Sequence, residues 1–364
     1  MPLSQRTLNR TLLTRQHLLH RAGPATTAED VVAHLLGMQS QVPTSPYPGL
    51  WTRLGTFDVA ELGRLLTERR VVRLAMMRST VHLVTAQDAL RLRPWVEPML
   101  RRSFAGSQWA KGLAGADEAA LTAEGRALLR EKPRTPAELR AALAPRFPAA
   151  DPAALVNALR SWLPLVQLPP RGVWGAGGET TYGLLDEWLG AEPAEAADCA
   201  ETVRRYLAAF GPAAPADLQK WSGLTGLKSA FAGLDLRTYT TEDGRELYDL
   251  PEAELADPDV PVTARFVADF DNVLLSHADR TRIVPEAYRT RVMTVNGIVR
   301  GTILVDGFVA GTWRFVRAKG TAAVEVTHFA PLSPADRGSL TSEALRLLAT
   351  TDPDARPEVT FTAG

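Results

Sequence analysis

The sequence predicts an α+β protein, with helices dominating the first 260 residues and strands dominating the remainder. Helix-start patterns recur three times before residue 260, and short β-rich segments follow each of them. Beyond that point, alternating apolar residues are separated by turns of the Asn-Gly and Asp-Gly kind. A chain of 364 residues is too long for one ordinary core, so we expect several domains.

The first predicted domain spans residues 1–112 and changes from helix to strand along its length. A capping box at Thr26-Thr27-Ala28-Glu29 marks the start of its second helix. Four helices are predicted in this domain: the first over 4–21, the second from Thr26 to the Gln39–Gln41 pair, the third over 50–54 and the fourth over 57–67. A hairpin over 71–84 follows them. Short helices followed by a hairpin describe a winged helix.

The same order of elements is predicted for residues 113–190. Thr135-Pro136-Ala137-Glu138 repeats the helix start, with proline at the first helical position, where its missing N–H costs nothing. A second helix is expected over 152–163 with Asp151 as its cap. Residues 166–174 then read as strand, turn and strand.

The third predicted domain, residues 191–260, holds the best helix-turn-helix candidate. The candidate begins at Ala214-Pro215-Ala216-Asp217 and passes a glycine-containing turn at 221–224 before its second helix. Segments 238–241 and 246–250 supply a wing. The three copies are irregularly spaced, so we predict serial winged-helix domains and not a solenoid.

Residues 261–364 form the last predicted domain, in which strands replace helices. The predicted strands cover 264–270, 273–275, 291–295, 302–305, 308–316 and 322–329. Glycine turns separate several of them, which predicts an antiparallel barrel-like domain or a sandwich. A final helix begins at Ser333 and runs to about Leu348. The alanine- and proline-rich stretch 187–200 is the predicted linker between the second and third domains.

The net charge is zero, but the charge is unevenly distributed. Residues 1–111 carry 15 Lys and Arg against 7 Asp and Glu, residues 112–260 carry 14 against 23, and residues 261–364 carry 12 against 11, so the balances are +8, −9 and +1. A basic first third is compatible with phosphate contacts, because the local field steers a polyanion. A solvated arginine-rich surface explains the same counts, and composition does not decide between the two.

Composition also limits the compartment and the redox chemistry. No apolar run approaches the roughly 18 residues of a membrane span. Arg6, Arg10 and Arg15 interrupt the apolar pattern of the N-terminal segment, so we predict no secretory signal and expect a cytoplasmic protein. Cys199 is the single cysteine, which excludes an intramolecular disulfide. Its acidic surroundings offer no basic neighbour to activate the thiol, so we assign it no chemistry.

Standard catalytic signatures are absent from the sequence. It contains no Gly-x-x-x-x-Gly-Lys-Ser/Thr phosphate loop, no dinucleotide-binding Gly-x-Gly-x-x-Gly, no His-Glu-x-x-His and no Gly-x-Ser-x-Gly. His277-Ala278-Asp279 is the only tight His/Asp pairing, and no third metal ligand accompanies it. The sequence therefore implies neither a metal nor an organic cofactor.

The chain is organised around the stretch Leu36-Gly37-Met38-Gln39-Ser40-Gln41-Val42-Pro43, where an apolar helix runs into a proline-rich loop. Pro43 disfavours helical geometry at Val42 and has no N–H to donate, so Gln39 and Gln41 both belong to the loop. Buried amides cost free energy unless all their donors and acceptors are paired, so two of them in an apolar setting suggest a function. Helix-end capping is the simpler alternative.

Basic side chains form three further candidate pairs. These are Arg78 with His82, Arg280 with Arg282, and Arg317 with Lys319. The first pair lies an even number of residues apart in the predicted hairpin and shares a face if one strand holds both. The second suits phosphate binding or a solvated strand end, and the third occupies a hairpin tip that could enter a DNA groove. Simple surface decoration remains the alternative for each pair.

Several motifs spread over nearly the whole chain belong together. They are Leu8-Asn9-Arg10, the Gln39 loop, Met77-Arg78-Ser79-Thr80-Val81-His82-Leu83, the run from Phe270-Asp271-Asn272 to His277-Ala278-Asp279-Arg280, and Leu304-Val305-Asp306-Gly307-Phe308-Val309-Ala310-Gly311-Thr312-Trp313-Arg314. In combination they resemble the winged-helix DNA glycosylases of the AlkZ/YcaQ type. The family motif is Gln-Φ-Gln or Gln-Φ-Asp, where Φ is aliphatic. Gln39 and Gln41 match the first form, whereas Ser40 departs from the aliphatic position, which bears on substrate range more than on chemistry.

The resemblance implies three winged helices and a C-terminal β-domain, C-shaped around a DNA channel. Family members are bacterial enzymes that excise or unhook bulky N7-alkylated purines, and several protect producers of DNA-alkylating natural products. The resemblance thus implies a monofunctional DNA glycosylase that acts on duplex DNA and provides self-resistance. It also implies a monomer without a cofactor, in which Gln39 and Gln41 position a water. The DNA-contact candidates are Arg78, His82, His277, Arg280, Arg282, Arg314, Arg317 and Lys319.

Two other classes of protein fit the same elements. A non-catalytic winged-helix DNA binder, such as a regulator, would tolerate loss of the Gln pair, show sequence preference and leave no abasic sites. A fold that serves only protein contacts would not bind DNA.

Overall fold

The computed structural model describes residues 2–193 and 198–364. Its helices are α1 (Gln5–Arg15), α2 (Ala28–His34), α3 (Pro46–Trp51), α4 (Val59–Thr67), α5 (Ala86–Ala105), α6 (Glu118–Glu131), α7 (Pro136–Leu143), α8 (Pro152–Trp162), α9 (Leu185–Leu189), α10 (Cys199–Phe210), α11 (Pro215–Ser222), α12 (Lys228–Ala232), α13 (Asn272–Leu275), α14 (Arg289–Val292) and α15 (Pro334–Thr351). Its strands are β1 (Met38–Gln39), β2 (Val71–Ala75), β3 (Val81–Thr85), β4 (Leu165–Gln167), β5 (Tyr182–Leu184), β6 (Arg237–Thr240), β7 (Glu246–Asp249), β8 (Arg265–Val267), β9 (Thr302–Val305), β10 (Phe308–Ala318), β11 (Thr321–His328) and β12 (Arg356–Ala363). The predicted linker over 187–200 begins within α9, and its residues 194–197 lie outside the described residues.

The hairpin of the first predicted domain and the β4–β5 pair of the second join in one five-stranded sheet, ordered β1-β3-β2-β4-β5. The second strand predicted within 166–174 lies instead at Tyr182–Leu184. The hairpins meet where Arg73 pairs with Gln167 and Leu74 pairs with Val166. At the other end of the sheet, β1 pairs with β3. We call this the shared sheet, because residues on both sides of the predicted boundary at 112 contribute to it.

The helix-start motifs act as helix caps. The predicted capping box of α7 and the predicted cap of α8 are both present. In α2 the box lies one residue later than the predicted Thr26 and Glu29, because Thr27 and Asp30 each accept a hydrogen bond from the other's backbone N–H. The sequence satisfies the pattern in either register, and Glu29 pairs instead with Arg70.

The predicted helix-turn-helix is present as α11 and α12. Gly223 ends α11 with a φ of +80°, a left-handed conformation that glycine adopts without steric cost. Strands β6 and β7 pair as a separate two-stranded sheet at the position of the predicted wing. Helix α10 packs against α12 and β7 and completes this unit.

The C-terminal domain is an open five-stranded sheet, ordered β12-β11-β10-β9-β8, so the predicted antiparallel barrel is wrong. Strands β12 and β8 are its edges within the described residues, and β12 runs parallel to β11. A parallel pair needs a long crossover, which α15 supplies. Because α15 covers one face of the sheet with buried residues such as Leu340 and Leu347, that face needs no second sheet.

Two predicted strands of this domain are helical. Where the sequence predicts a strand over 273–275, α13 begins after Asp271, whose side chain accepts a hydrogen bond from the Val273 N–H at 3.0 Å. Where it predicts a strand over 291–295, α14 covers the first residues. Short apolar runs do not distinguish a strand from a helix, and in α13 the cap decides.

Helix α1 connects parts of the chain that are far apart in sequence. Asn9 Nδ2 donates to the Gly307 backbone oxygen at 2.8 Å. The buried Arg10 guanidinium forms an ion pair with Asp306 in the same turn, and Arg15 pairs with the last residue of β7 at 2.7 Å. The Asn-Arg and Asp-Gly motifs of the sequence therefore bind each other and join α1 to the C-terminal domain.

Candidate active site and nucleic-acid interface

The Gln39-Ser40-Gln41 segment lies at the edge of the shared sheet. Helix α2 ends before the Gln pair, because Leu36 and Gly37 take left-handed conformations with φ of +54° and +104°. Gly37 approaches β3 so closely that a Cβ atom there would lie 2.5 Å from Val84 Cγ1. Strand β1 then pairs with β3 and places Gln39 opposite His82. The segment therefore enters a strand and does not cap a helix.

Ser40 is fully buried and faces away from the two amides, in keeping with strand alternation. Its hydroxyl accepts a hydrogen bond from Arg73 Nε at 2.9 Å, and its carbonyl accepts one from Arg73 Nη2 at 3.0 Å. Burial lowers the pKa of the Arg73 guanidinium to about 10. The polar residue at the middle of the motif is thus matched to a buried arginine.

We expect Ser40→Val to lower the free energy of unfolding by about 1.5–3 kcal/mol relative to Ser40→Thr, the usual worth of a hydrogen bond to a charged group. Valine and threonine have the same shape, but only threonine keeps the hydroxyl that Arg73 binds. Urea unfolding of the two variants measures the difference. Equal unfolding free energies would show that Arg73 does not depend on this hydroxyl.

The Gln39 side chain is held in one orientation by Arg78. Arg78 Nη2 donates to Gln39 Oε1 at 2.9 Å, and Arg78 Nη1 donates to the Trp221 backbone oxygen. A guanidinium has only donors, so the amide atom that faces it must be the oxygen. Gln39 is 6% exposed, and its carbonyl oxygen keeps one lone pair for a reactant.

Gln41 is exposed, and its Oε1 accepts a hydrogen bond from the Val81 backbone N–H at 3.3 Å. A backbone N–H is also only a donor, so the same reasoning fixes the orientation of this amide. Gln39 is the last residue of β1, and Gln41 follows two residues later, beyond the end of the strand. Both amides are thus held next to the start of β3, Gln39 opposite His82 and Gln41 on the N–H of Val81, and each oxygen keeps a free lone pair.

Arg78 lies in a strained turn between β2 and β3. Arg78 and Ser79 have φ of +55° and +59°, a conformation that costs roughly 1–2 kcal/mol for each non-glycine residue. The helix-turn-helix unit packs on this turn, since a Cβ atom at Gly223 would lie 3.2 Å from Arg78 Cα. Burial, and secondarily the Arg280 guanidinium, lowers the pKa of Arg78 to about 10. Three parts of the chain thus converge on the arginine that orients Gln39.

We expect Arg78→Met to lower kcat by at least about tenfold relative to Arg78→Lys, because only lysine keeps a donor for the Gln39 oxygen. Both substitutions bear the same backbone strain, which makes them a matched pair. Single-turnover excision and duplex binding are measured together. If Arg78 acts only as a phosphate contact, the loss would appear instead in Kd and in its salt dependence.

His82 is buried beside Gln39 on the same face of the shared sheet. Its Nδ1 lies 3.1 Å from the Thr80 carbonyl oxygen, so Nδ1 carries the hydrogen and donates it. Burial, reinforced by the Arg78 charge, lowers the pKa of His82 to about 3. His82 is therefore a neutral side chain that lies beside Gln39. Its Nε2 has no hydrogen-bond partner within the described residues.

Two other predicted DNA contacts lie inside the protein. His277 is buried, and its Nε2 makes a hydrogen bond to the Phe210 carbonyl at 3.0 Å. Arg282 is also buried and donates from Nη1 to the Pro212 carbonyl at 3.1 Å. Both hold the connection between α10 and α11. In the part of the chain that the structure describes, no three His, Cys, Asp or Glu side chains come together in a group that could hold a metal ion.

Three predicted DNA contacts lie on the β10–β11 hairpin. Arg314 pairs with Glu325 and Arg317 pairs with Asp352, each at 2.6 Å, so both positive charges are balanced. Lys319 is exposed at the turn and has no salt-bridge partner among residues 2–193 and 198–364. Lys319 is thus the most available cation of the three.

Two arginines without carboxylate partners lie near Arg78, the residue that binds Gln39. Arg280 is half-buried, with Nη1 2.6 Å from Met293 Sδ, and its charge lowers the pKa of Arg78. Arg102 donates to the Gly223 carbonyl at 2.8 Å. Neither these two arginines nor Arg78 has a salt-bridge partner in the described chain, so the region offers uncompensated positive charge to a polyanion.

Residues that hold the Gln39 loop in place were not identified from the sequence. Asn272 Nδ2 donates to the Gly37 carbonyl at 2.7 Å, directly before β1. Next to it, the Arg53 guanidinium binds both carboxylate oxygens of Asp271 at 2.7 and 2.8 Å, and both side chains are buried. The polar Asp271-Asn272 pair within an apolar run is the sequence signal that indicates this role.

Comparison with known proteins yields one family and one relative of similar length. A family model described as "DNA glycosylase AlkZ-like" matches residues 32–350. An interstrand DNA cross-link repair glycosylase from Streptomyces sahachiroi is 28% identical over 331 residues, which covers 84% of this chain and 86% of that protein. The solved structure of the Streptomyces sahachiroi DNA glycosylase AlkZ has the same fold, with a TM-score of 0.79, 21% identity and coverage of 99% of this chain and 100% of that one. No helix in the described part of this chain is long and apolar enough to cross a membrane.

Proposed function

Because the chain belongs to the AlkZ-like DNA glycosylase family, we propose that it hydrolyses the N-glycosidic bond of bulky N7-alkylpurine adducts in duplex DNA. Interstrand crosslinks belong to the same proposal, which the name of the curated relative supports. The protein is a DNA glycosylase, and we infer a monofunctional one that leaves an abasic site and does not cut the strand. One observation supports this inference: the oxygens of Gln39 and Gln41 are each oriented by a donor-only partner, and Arg78, which binds Gln39, has no carboxylate partner in the described chain.

The substrate supplies much of the driving force. Alkylation at N7 gives the purine a positive charge, which weakens the bond between C1′ and N9. When that bond breaks, N9 takes the electron pair and the base leaves as a neutral molecule without needing a proton. The enzyme has only to direct a water at the electron-poor C1′ and to stabilise the charge there.

Gln39 and Gln41 are proposed to direct that water. Each carbonyl oxygen accepts a hydrogen from the water on its free lone pair, which turns a lone pair of the water toward C1′. The water oxygen forms the new bond to C1′, and its surplus proton passes to solvent. Neutral amides stabilise positive charge less than a carboxylate would, so unmodified purines, which are poorer leaving groups, stay intact.

The proposed DNA channel is formed by all four predicted domains, with boundaries near residues 112, 190 and 260. The helix-hairpin units act in this proposal as three winged helices, and the C-terminal domain completes a C shape around the duplex. Arg78, Arg280 and Lys319 are its proposed DNA contacts. The protein works as a monomer at the nucleoid, and its role is self-resistance to a DNA-alkylating natural product.

The excision rate is expected to be independent of pH between about 5 and 7. Amides do not titrate, and the pKa values of His82 and Arg78 are lowered to about 3 and about 10, so the site keeps one charge state. Because the unfolded chain protonates His82 near pH 6.5, stability is full above about pH 6.5 and falls toward pH 3. Circular dichroism therefore accompanies the single-turnover rates, and a step near pH 6.5 in a folded sample would contradict the mechanism.

The proposed function is tested with duplexes that carry one N7-alkylguanine, small or bulky, or one interstrand crosslink. Alkaline cleavage reveals abasic sites, and denaturing gels reveal unhooked strands. We expect the protein to produce abasic sites faster than spontaneous depurination, with a preference for the bulky adduct, and to leave an unmodified duplex intact. Binding to every duplex without any gain in abasic yield would leave only a DNA-binding function.

A further inference from the structure

A small open recess lies next to the strained Arg78–Ser79 turn. Its volume is about 100 Å³, and it lies between that turn, the end of α5 and the last turns of α8. Its polar lining includes Ser79, Ser103, Trp109 and Arg160, and none of its lining residues in the described chain is acidic. The recess is thus a small polar site with a positive charge.

Some of the donors that line the recess lack partners in the described chain, whereas Ser107, Asn157 and Ser161 donate to backbone carbonyls. The hydroxyls of Ser79 and Ser103 and the indole N–H of Trp109 make no hydrogen bond to any described residue. The Arg160 guanidinium donates to Asn157 Oδ1 at 3.3 Å and has no salt bridge in that part of the chain. Free donors, one cation and no carboxylate are what a phosphate group requires.

The carbonyl end of α8 faces this region and would by itself repel an anion. The buried Arg93 guanidinium offsets that effect, because its Nη2 donates to the Ser161 carbonyl at 2.9 Å and to the Leu163 carbonyl at 3.3 Å. The last carbonyls of the helix are therefore already bound to a cation. Arg160 then adds a positive charge that no carboxylate balances.

The recess is directly connected to the candidate active site. Ser79, which lines it, follows Arg78, whose guanidinium orients Gln39. Ser103, on the other wall, follows Arg102, which donates to the Gly223 carbonyl of the helix-turn-helix unit. A group bound in the recess therefore contacts residues that directly follow Arg78, which orients Gln39, and Arg102, which binds the helix-turn-helix unit.

We propose that this recess binds one phosphodiester group of the DNA backbone close to the lesion, and so fixes C1′ relative to Gln39 and Gln41. The inference rests on the proposed function, because it takes lesion-containing DNA as the ligand. Arg160 supplies the charge, and the hydroxyls of Ser79 and Ser103 supply neutral hydrogen bonds. The recess acts on position along the strand and carries no base specificity.

The test combines Arg160→Gln with duplexes in which one phosphate at a time, on each side of an N7-alkylguanine, is replaced by a neutral methylphosphonate. Arg140→Gln is the matched control, because Arg140 is exposed on α7, has no salt bridge in the described residues and does not line the recess. Ser103→Ala, an exposed position, removes one donor without risk to the core. Duplex binding is measured for each combination.

We expect one phosphate position at which neutralisation weakens wild-type binding by about tenfold and has little further effect on Arg160→Gln. Arg140→Gln keeps the wild-type pattern, and Ser103→Ala shows a smaller coupling at the same position. Additive losses at every position would overturn the proposal. Binding is measured independently of excision, so an inactive wild type that still shows the coupling would refute the glycosylase mechanism and leave the phosphate site intact.

Discussion

The double variant Gln39→Ala/Gln41→Ala is expected to excise an N7-alkylguanine no faster than the base is lost spontaneously. In the proposed mechanism each amide aligns the same water, and removal of one such preorganised group typically costs about 10²–10³-fold in rate. The two losses are not additive, because one misaligned contact already frees the water. Binding of the duplex should change by less than about threefold, since neither side chain is charged and charge dominates affinity for DNA.

The control for this variant is Thr44→Ala, an exposed position in the same loop that makes no hydrogen bond to any described residue through its side chain. Abasic-site yield and binding are measured on one preparation of each protein. The single variants separate the two amides, because only Gln39→Ala also leaves Arg78 Nη2 without its acceptor. Full activity of the double variant would assign the chemistry to other residues.

Arg53→Met is expected to lower the free energy of unfolding by about 3–5 kcal/mol, the cost of leaving a buried carboxylate without its partner. Arg53 and Asp271 are both almost fully buried, and the pair lies beside the Asn272 contact to the Gln39 loop. Replacing both partners, in Arg53→Met/Asp271→Leu, should recover part of that loss, because no unpaired charge remains.

A matched surface pair calibrates this effect. Arg64 and Asp58 lie 3.4 Å apart with their side chains 58% and 59% exposed, so Arg64→Met should cost less than about 0.5 kcal/mol. Urea unfolding of the three variants measures the differences. A loss as small for Arg53→Met as for Arg64→Met would mean that water reaches Asp271 and that the pair does not hold the loop.

Local sequence patterns predicted local structure well. Proline and acidic residues at helix starts located the caps of α7 and α8, and the glycine turn located α11 and α12. The pairing of Arg73 with Gln167 joins hairpins that are far apart in sequence, and no periodicity within either hairpin encodes it. The pairing that forms the shared sheet therefore could not be predicted from local sequence patterns.

The C-terminal domain shows the same limit. Alternation and glycine turns predicted β8 to β11 but not β12, and the partner of each strand depends on the path of the chain between them. Helix α15 carries the chain from β11 across one face of the sheet, so β12 returns parallel to β11 and the sheet stays open. An amphipathic helix at the end of a predicted barrel is the feature that should have favoured this arrangement.

For the candidate site, sequence reasoning singled out the Gln pair, whose role stays a prediction, and did not distinguish buried from exposed basic residues. Arg73 and Arg282 are buried, whereas Lys319 is exposed. The residue type alone does not indicate whether a basic side chain is buried. The difference arises from acceptors that tertiary structure supplies, such as the Ser40 hydroxyl and the Pro212 carbonyl. Burial of a charge becomes predictable only once its partners are known.

The contacts of α1 have a consequence for biosynthesis. Asn9 binds Gly307, 298 residues later, so at about 5–20 residues per second the ribosome makes the partner of α1 about 15–60 s after α1 itself. During that interval α1 can pack only on elements made earlier, such as α10, and the core around Leu12 and Leu13 lacks its C-terminal residues. Nascent chains that stop before residue 307 should therefore lack the contacts that join α1 to the C-terminal domain, although α1 can already pack on α10.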